Sequence, residues 1–167
     1  MRKIALLFLA LPFLIPLPNL EAQEVDILWQ AETYTPPFYK GKSLWSNESK
    51  ITLLAIPSGA GTGNPANLTY RWTKNGTVLG NINGVGKNTI AFTDSIISRP
   101  QTIQVDIISA EQGKIASASL TLASSPPSLA IYENNPLYGF MFHKEVGGVY
   151  ELQGEEVTFT AFPFFFS

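Results

Sequence analysis

The side chains that could do chemistry in this chain are few and lie far apart in the sequence. The only histidine, His143, stands between Phe142 and Lys144, and neither a second ligand nor a nucleophile is close to it. Acid–base catalysis needs positioned groups whose pKa values are driven apart by their surroundings. We therefore interpret His143 as a surface or edge residue, and we predict no catalytic residue in this chain.

The carboxylates do not supply a catalytic pair either. Asp26 and Asp106 alternate with apolar residues, which places both on the outward faces of predicted strands, and Asp94 follows the end of a short apolar run. Glu155 and Glu156 precede another such run and are interpreted as solvated. This spacing indicates surface carboxylates and no acid–base site.

Patterns that hold phosphates or metals are also missing from the sequence. The stretch from Gly59 to Gly63 is rich in glycine, but no helix signal and no Lys-Ser/Thr pair follows it, as a phosphate-binding loop requires. Asn64, Asn81 and Asn83 could offer carbonyl oxygens to Ca²⁺, yet no clustered Asp or Glu stands beside them. The absence of Cys excludes disulfides, thiolate metal sites and thiol nucleophiles. We predict neither a metal nor a cofactor.

The composition argues against nucleic acid as a partner. The chain has 167 residues, a net charge of −2, 45% hydrophobic residues and only 14% charged residues. A protein that binds nucleic acid needs a basic face to neutralise phosphates, and this sequence has none.

The first 22 residues have the pattern of a secretory signal peptide. A basic start, Met1 to Lys3, is followed by an apolar run from Ile4 to Leu17, and the segment ends on the small residue Ala22. An uncleaved membrane anchor is the alternative, but some 14 apolar residues fall short of the roughly 20 that span a bilayer. We predict cleavage after Ala22 and an exported protein, secreted or in the cell envelope, with no membrane span in the mature chain.

The clearest structural signal is the stretch from Asn67 to Gly80. Leu68, Tyr70 and Trp72 alternate with polar residues, as in a strand with one buried face. An Asn-Gly pair follows directly, which is the strongest short-range signal for a tight hairpin turn. The sequence therefore predicts a strand, a tight turn and a second short strand, with Trp72 in the core. The next stretch, Asn81 to Asn88, is rich in Asn and Gly and is predicted to be a surface connection.

Other short strands are predicted on both sides of this hairpin. They are a strand from Val25, strands at Lys50 to Pro57, Thr89 to Thr93 and Thr102 to Ser109, and a last one from Ala116 to Leu122. Thr35 to Gly41 contains two prolines, which remove ladder donors, so we interpret it as an edge segment and turn with Leu44 and Trp45 tucked under the sheets. About seven short strands without helical periodicity predict an all-β, antiparallel two-sheet sandwich. The core residues that we predict are Trp29, Tyr70, Trp72, Phe92, Val105 and Ile107.

Two of these stretches resemble a known family of domains. Tyr70 to Leu79 resembles the Trp-bearing strand and hairpin of immunoglobulin-like (Ig-like) domains. Gln104 to Gly113, together with Ala116 to Leu122, is similar to the last hairpin of bacterial Ig-like and PKD-type domains. The resemblance covers residues 25–124 and implies an Ig-like sandwich domain at residues 23–124. The chain lacks the bridge cysteines of antibody domains, and it has Lys-Asn-Gly where PKD domains usually have an Asp-rich turn.

After a Pro-Pro linker at Ser124 to Ser128, the pattern of the first domain begins again. Glu156 to Pro163 echoes Lys50 to Pro57, with Thr, Ala and Pro identical at three matching positions. Because Val157, Phe159 and Ala161 alternate with threonines in the second copy, we predict that they face inward, and likewise their counterparts Ile51, Leu53 and Ala55. An internal period of about 100 residues indicates tandem domains.

We interpret residues 125–167 as a linker and the N-terminal part of a second Ig-like domain, which is truncated. It contains counterparts of only two strand regions, and a lone pair of strands is marginal in water. We therefore expect residues 129–167 to be disordered, to lean on the first domain, or to associate with another chain. An uncovered apolar strand at this end predicts self-association.

The function that the sequence favours is that of a non-enzymatic, exported surface or cell-envelope protein, whose Ig-like modules act as spacers or adhesive units for an unknown protein or glycan. The alternative is an accessory region of a larger exported enzyme, whose catalytic domain lies outside this chain. Carbohydrate binding is a further possibility. It would need a flat, exposed aromatic platform, for which Phe38, Tyr39 and Trp45 are the clustered candidates.

Overall fold

The computed structural model describes residues 23–59, 63–94, 99–152, 154 and 156–167. The predicted signal peptide and its cleavage site lie outside these residues, as do Glu155 and part of the glycine-rich stretch after Gly59.

Strands make up nearly all of the regular structure that is described. They are β1 (Glu24–Ala31), β2 (Lys50–Ser58), β3 (Thr69–Lys74), β4 (Thr77–Val78), β5 (Gly84–Val85), β6 (Thr89–Thr93), β7 (Gln101–Ser109), β8 (Gly113–Leu122), β9 (Ser128–Asn135), β10 (Gly139–Glu145) and β11 (Phe159–Phe164). The helical residues in the described ranges form two short 3-10 turns, at Pro65–Asn67 and Gly80–Ile82. The prediction of an all-β chain is confirmed.

The first eight strands form an antiparallel two-sheet sandwich. One sheet has the order β1-β2-β6, and the other has the order β4-β3-β7-β8, with β5 also pairing with β3. The buried residues of both sheets form one hydrophobic core, in which the predicted inward residues of β2 are fully covered. The largest contributions to this core come from Trp45, Ile51, Leu53, Tyr70, Trp72, Ile103, Val105 and Ile107.

The predicted core residues are confirmed, with two of them at its margin. Trp29 and Phe92 are partly buried and pack against the core, whereas the other four are fully buried. Trp45 is only 1% exposed, as its predicted position under the sheets requires, and its ring stands edge-on to that of Phe92 with 5.9 Å between the centroids. The Trp45 Nε1–H donates to the Ser49 carbonyl at 3.2 Å, so its polar atom is satisfied inside the core.

The hairpin at Trp72 forms as predicted, but the connection after it is more ordered than its composition suggests. Asn75 and Gly76 have φ angles of 49° and 79°, the two positive values that a type I′ turn needs. Asn81 to Asn88 lies at the surface as predicted, but two of its residues form the short strand β5, which pairs with β3. The same connection supplies the Asn83 Oδ1 that accepts from the Trp72 backbone N–H at 2.7 Å.

Residues 128–164 form a third, smaller sheet with the order β10-β9-β11. Where two strand regions were expected, the structure has a third strand, β10, on the other edge of β9. The pairing of β9 with β11 repeats that of β1 with β2: Leu129 lies opposite Pro163, as Val25 lies opposite Pro57. The sequence repeat between β2 and β11 is therefore also a repeat of strand register.

The buried face of β11 is not the one that its sequence predicts. Phe159 is 41% exposed and Ala161 is also exposed, whereas Phe162 and Phe164 on the opposite face are partly covered. The prediction of an inward Phe159 is wrong here because, within the described residues, no second sheet packs on that side of β11. The first sandwich offers aromatic rings to the other side instead.

Candidate functional site

The titratable residues that the sequence singled out lie on separate parts of the surface. His143 is exposed on β10, Asp26 is exposed on β1, and Glu156 is exposed just before β11. These placements agree with the surface positions that we predicted. Within the described residues, no three side chains of the types that bind metals lie together in one group.

Asp94 has a structural partner that the sequence did not reveal. The Lys74 Nζ donates to both of its carboxylate oxygens at 2.6 Å, and both side chains are about one-fifth exposed. The same ammonium group lies 4.4 Å from the centroid of the Phe92 ring. Because Lys74 ends β3 and Asp94 follows β6, this ion pair ties the two sheets of the sandwich together at one end.

Asp106 is the carboxylate with the most complete set of donors. Its Oδ1 accepts from Lys114 Nζ at 2.8 Å, from Ser117 Oγ at 2.6 Å and from Gln104 Nε2 at 3.0 Å. Partial burial by itself raises the pKa of this carboxyl group, but the three hydrogen bonds and the Lys114 charge outweigh it and lower the pKa to about 2. Asp106 is thus held ionised at neutral pH and serves as a cross-strand anchor between β7 and β8.

Two of the three asparagines considered for Ca²⁺ use their carbonyl oxygens within the fold. Asn64 Oδ1 accepts from the Ala66 backbone N–H at 3.0 Å and caps the first 3-10 turn. Asn83 Oδ1 accepts from the Trp72 backbone N–H, as described above. The role of Asn83 could not be found in the sequence, because it depends on how the loop folds back on β3, whereas the Asn64 cap is a local contact between residues two positions apart.

The three aromatic residues considered as candidates for a carbohydrate platform do not form one in this structure. Trp45 is buried in the core and cannot stack on a ligand. Phe38 is 43% exposed, but its ring is inclined at 53° to Phe142 and at 83° to Phe162. Sugar rings stack on a flat surface, so Phe38, Tyr39 and Trp45 together do not provide such a platform.

The rings of Phe38 and Tyr39 contact the third sheet instead. Phe38 lies 4.9 Å from Phe142 and 4.8 Å from Phe162, and Tyr39 lies 5.6 Å from Phe164, all measured between ring centroids. We call these five residues the aromatic junction. The prolines of this segment hold the two junction rings of the first sandwich on a stiff turn.

Backbone hydrogen bonds reinforce the aromatic junction on both sides. The Tyr34 N–H donates to the Phe166 carbonyl at 2.8 Å, and the Phe165 N–H donates to the Tyr34 carbonyl at 2.7 Å. In the linker, the Ser125 N–H donates to the Trp45 carbonyl at 2.7 Å. The third sheet is therefore docked on the sandwich by apolar contacts and by paired backbone groups, which is one of the alternatives that we expected for residues 129–167.

A polar groove of about 500 Å³ lies on the opposite face of the third sheet. Glu133, Lys144, Tyr150 and Glu156 are among its lining residues. The Tyr150 hydroxyl donates to Glu133 Oε2 at 3.1 Å, and the Tyr150 ring stands edge-on to Phe159 at 4.9 Å. Desolvation and the hydrogen bond to Glu133 raise the pKa of Tyr150. The loop before β11, which carries Tyr150, thus covers part of this face of the third sheet. Two other apolar residues of the loop, Val149 and Leu152, stay exposed.

The fold and these surfaces define an antiparallel β-sandwich with an appended three-stranded sheet. Comparison of the chain with models of known families, with curated proteins and with solved structures found no match. Among the helical segments of the described residues, none has the length and apolar character needed to cross a bilayer.

Proposed function

We propose that this chain is a non-enzymatic, exported surface or cell-envelope protein built from tandem Ig-like units, and that it acts as a spacer. The observation that carries the proposal is the repeated register of β1/β2 and β9/β11. Two segments about 100 residues apart that share both sequence pattern and pairing are typical of tandem sandwich domains.

The arrangement of the first sandwich supports the Ig-like assignment. The Trp72 strand, β3, lies inside its sheet between β4 and β7, and its ring is fully buried in the core shared with the opposite sheet. A central Trp-bearing strand over a core of alternating residues is the architecture of Ig-like domains. The core is held by packing, since the chain has no Cys.

The junction between the two units favours the role of a rigid spacer and argues against that of a flexible tether. The bridge between Tyr34 and Phe166, the bond from Ser125 to Trp45 and the aromatic junction all oppose bending at the linker. A junction of this kind transmits the orientation of one unit to the next.

Export is tested by producing the full chain in a bacterial host, fractionating the cells and sequencing the N-terminus. We expect the protein outside the cytoplasm with Gln23 as its first residue, because the apolar run before it has the pattern of a cleaved leader. A chain that keeps Met1 and stays in the cytoplasm would contradict the proposal. Binding of the exported protein to glycans on an array would show an adhesive role in addition to the spacer role.

A further inference from the structure

The strand β11 has a free edge in the third sheet. In the order β10-β9-β11, which the described residues form, only one edge of β11 is paired. The Asn134 N–H donates to the Thr158 carbonyl, so even-numbered residues of this segment point their backbone groups at β9. Phe159, Ala161 and Pro163 therefore point their backbone groups away from it, and Pro163 has no N–H that would need a partner there.

The first sandwich shows what such an edge binds. The edge of β2 that corresponds to the free edge of β11 pairs with β6. Leu53 lies opposite Ile90, and the Ala55 N–H donates to the Asn88 carbonyl at 2.8 Å. Leu53 and Ala55 correspond to Phe159 and Ala161 in the repeat. The free edge of β11 is thus built to receive an antiparallel strand with apolar residues at alternate positions.

The strand β11 itself has these properties. Phe159–Phe164 carries no charge, so two such edges do not repel each other, and the alternation of Phe159 and Ala161 supplies the apolar positions. On the same face Leu129 is 52% exposed and Phe159 is 41% exposed. We propose that two copies of this chain associate by antiparallel pairing of their β11 edges, which joins two three-stranded sheets into one of six strands.

The structure also restricts the register of this pairing. Beyond Pro163 the outward edge of this segment is already paired, because the Tyr34 carbonyl accepts a hydrogen bond from the Phe165 N–H. A two-fold axis at Thr160 places Phe159 opposite Ala161 of the second copy. The outward N–H and C=O groups of Phe159 and Ala161 are then all hydrogen-bonded to the second copy. Pro163 then lies beyond this set, where its missing N–H costs nothing. Each Phe159 ring also covers an exposed alanine of the other copy.

Light scattering on the chain from Gln23 to Ser167 tests the association. We expect twice the mass of one chain for the parent and the mass of one chain for Ala161→Pro, since proline removes an edge donor that β11 does not use for pairing with β9. The matched control is Tyr138→Ala, which removes a 76% exposed ring at the β9–β10 turn and should associate as the parent does. A monomeric parent, or an Ala161→Pro variant that associates equally, would overturn the proposal.

Cysteine cross-linking provides a test that does not depend on proline. The chain has no Cys, so Thr160→Cys introduces a single thiol at the proposed axis. There the two Cα atoms would lie about 4.5 Å apart, which a disulfide can bridge. Thr158→Cys is the control, because in this register position 158 of one copy lies about 13 Å along the edge from position 158 of the other copy. Disulfide-linked dimers that form as readily in the Thr158→Cys variant would refute the pairing, whereas failure of either test leaves the proposed export and spacer role untouched.

Discussion

The ring of Phe38 stands edge-on to the ring of Phe162, with 4.8 Å between their centroids and 83° between their planes. Phe38 belongs to the proline-rich turn after β1, and Phe162 belongs to β11, so this contact joins the sandwich to the third sheet. Aromatic pairs in this geometry contribute about 0.5–1.5 kcal/mol beyond the burial of their area.

Phe38→Ala should therefore loosen the third sheet without disturbing the sandwich. We expect faster amide exchange in β9 and β11, because the mutation removes two ring contacts of the aromatic junction, and unchanged exchange in β3 and β7. Hydrogen exchange followed by mass spectrometry measures both regions together. Tyr138→Ala, an aromatic deletion outside the junction, is the control. Equal exchange in β9 and β11 of the Phe38→Ala chain and the parent would show that the junction does not hold the sheet.

Trp72→Ala should destabilise the sandwich by roughly 3–5 kcal/mol. The side chain is fully buried, and its Nε1–H donates to the Lys87 carbonyl at 2.9 Å, so the mutation leaves both a cavity and an unpaired acceptor. Urea unfolding followed by circular dichroism gives the change in free energy of unfolding. Arg71→Ala, at the exposed neighbouring position, should cost far less. A loss below about 1 kcal/mol for Trp72→Ala would contradict its assigned place in the core.

Gly76→Ala should cost about 1–2 kcal/mol because of backbone conformation alone. Gly76 has a φ of 79°, and a Cβ added there would meet no atom within 4 Å, so the cost is not steric crowding by neighbours. Gly80→Ala is a matched control, since that glycine is equally open and has no positive φ. Thermal unfolding of both variants compares them. If the two substitutions cost the same, the turn at Asn75 does not require a left-handed residue.

Asp106→Asn should reveal a pH-dependent part of the stability. The folded pKa of Asp106, about 2, is below the ordinary value of 3.8, so ionised Asp106 stabilises the fold above the unfolded pKa and loses this effect as the pH falls through about 2. The difference in free energy of unfolding between parent and variant should be about 2 kcal/mol near neutral pH, and it should shrink as the pH falls from about 5 towards 2. Urea unfolding across this range measures it, with Asp26→Asn at an exposed site of β1 as the control. A difference that is constant with pH would contradict the role given to Lys114 and Ser117.

Local pattern was sufficient to predict most of the first sandwich. The alternation around Trp72 and the Asn-Gly pair after it determine a strand and a type I′ turn, since both signals depend on neighbours in the sequence. The same reasoning placed Asp94 at a strand end and His143 on the surface. It could not find Lys74 as the partner of Asp94 or Asn83 as the acceptor for Trp72, because those contacts join residues 20 and 11 positions apart through the fold.

The third sheet shows the limit of the sequence most clearly. By itself the sequence determined that β11 is a strand with two different faces and that it repeats β2. Only the tertiary structure decided which face is covered, because burial depends on what stands opposite: a second sheet for Leu53 in β2, but Phe38 and Tyr39 on the other side of β11. For the same reason only the tertiary structure decided that Trp45 lies in the core, where the sequence analysis had placed it under the sheets and also named it as a candidate for a surface platform.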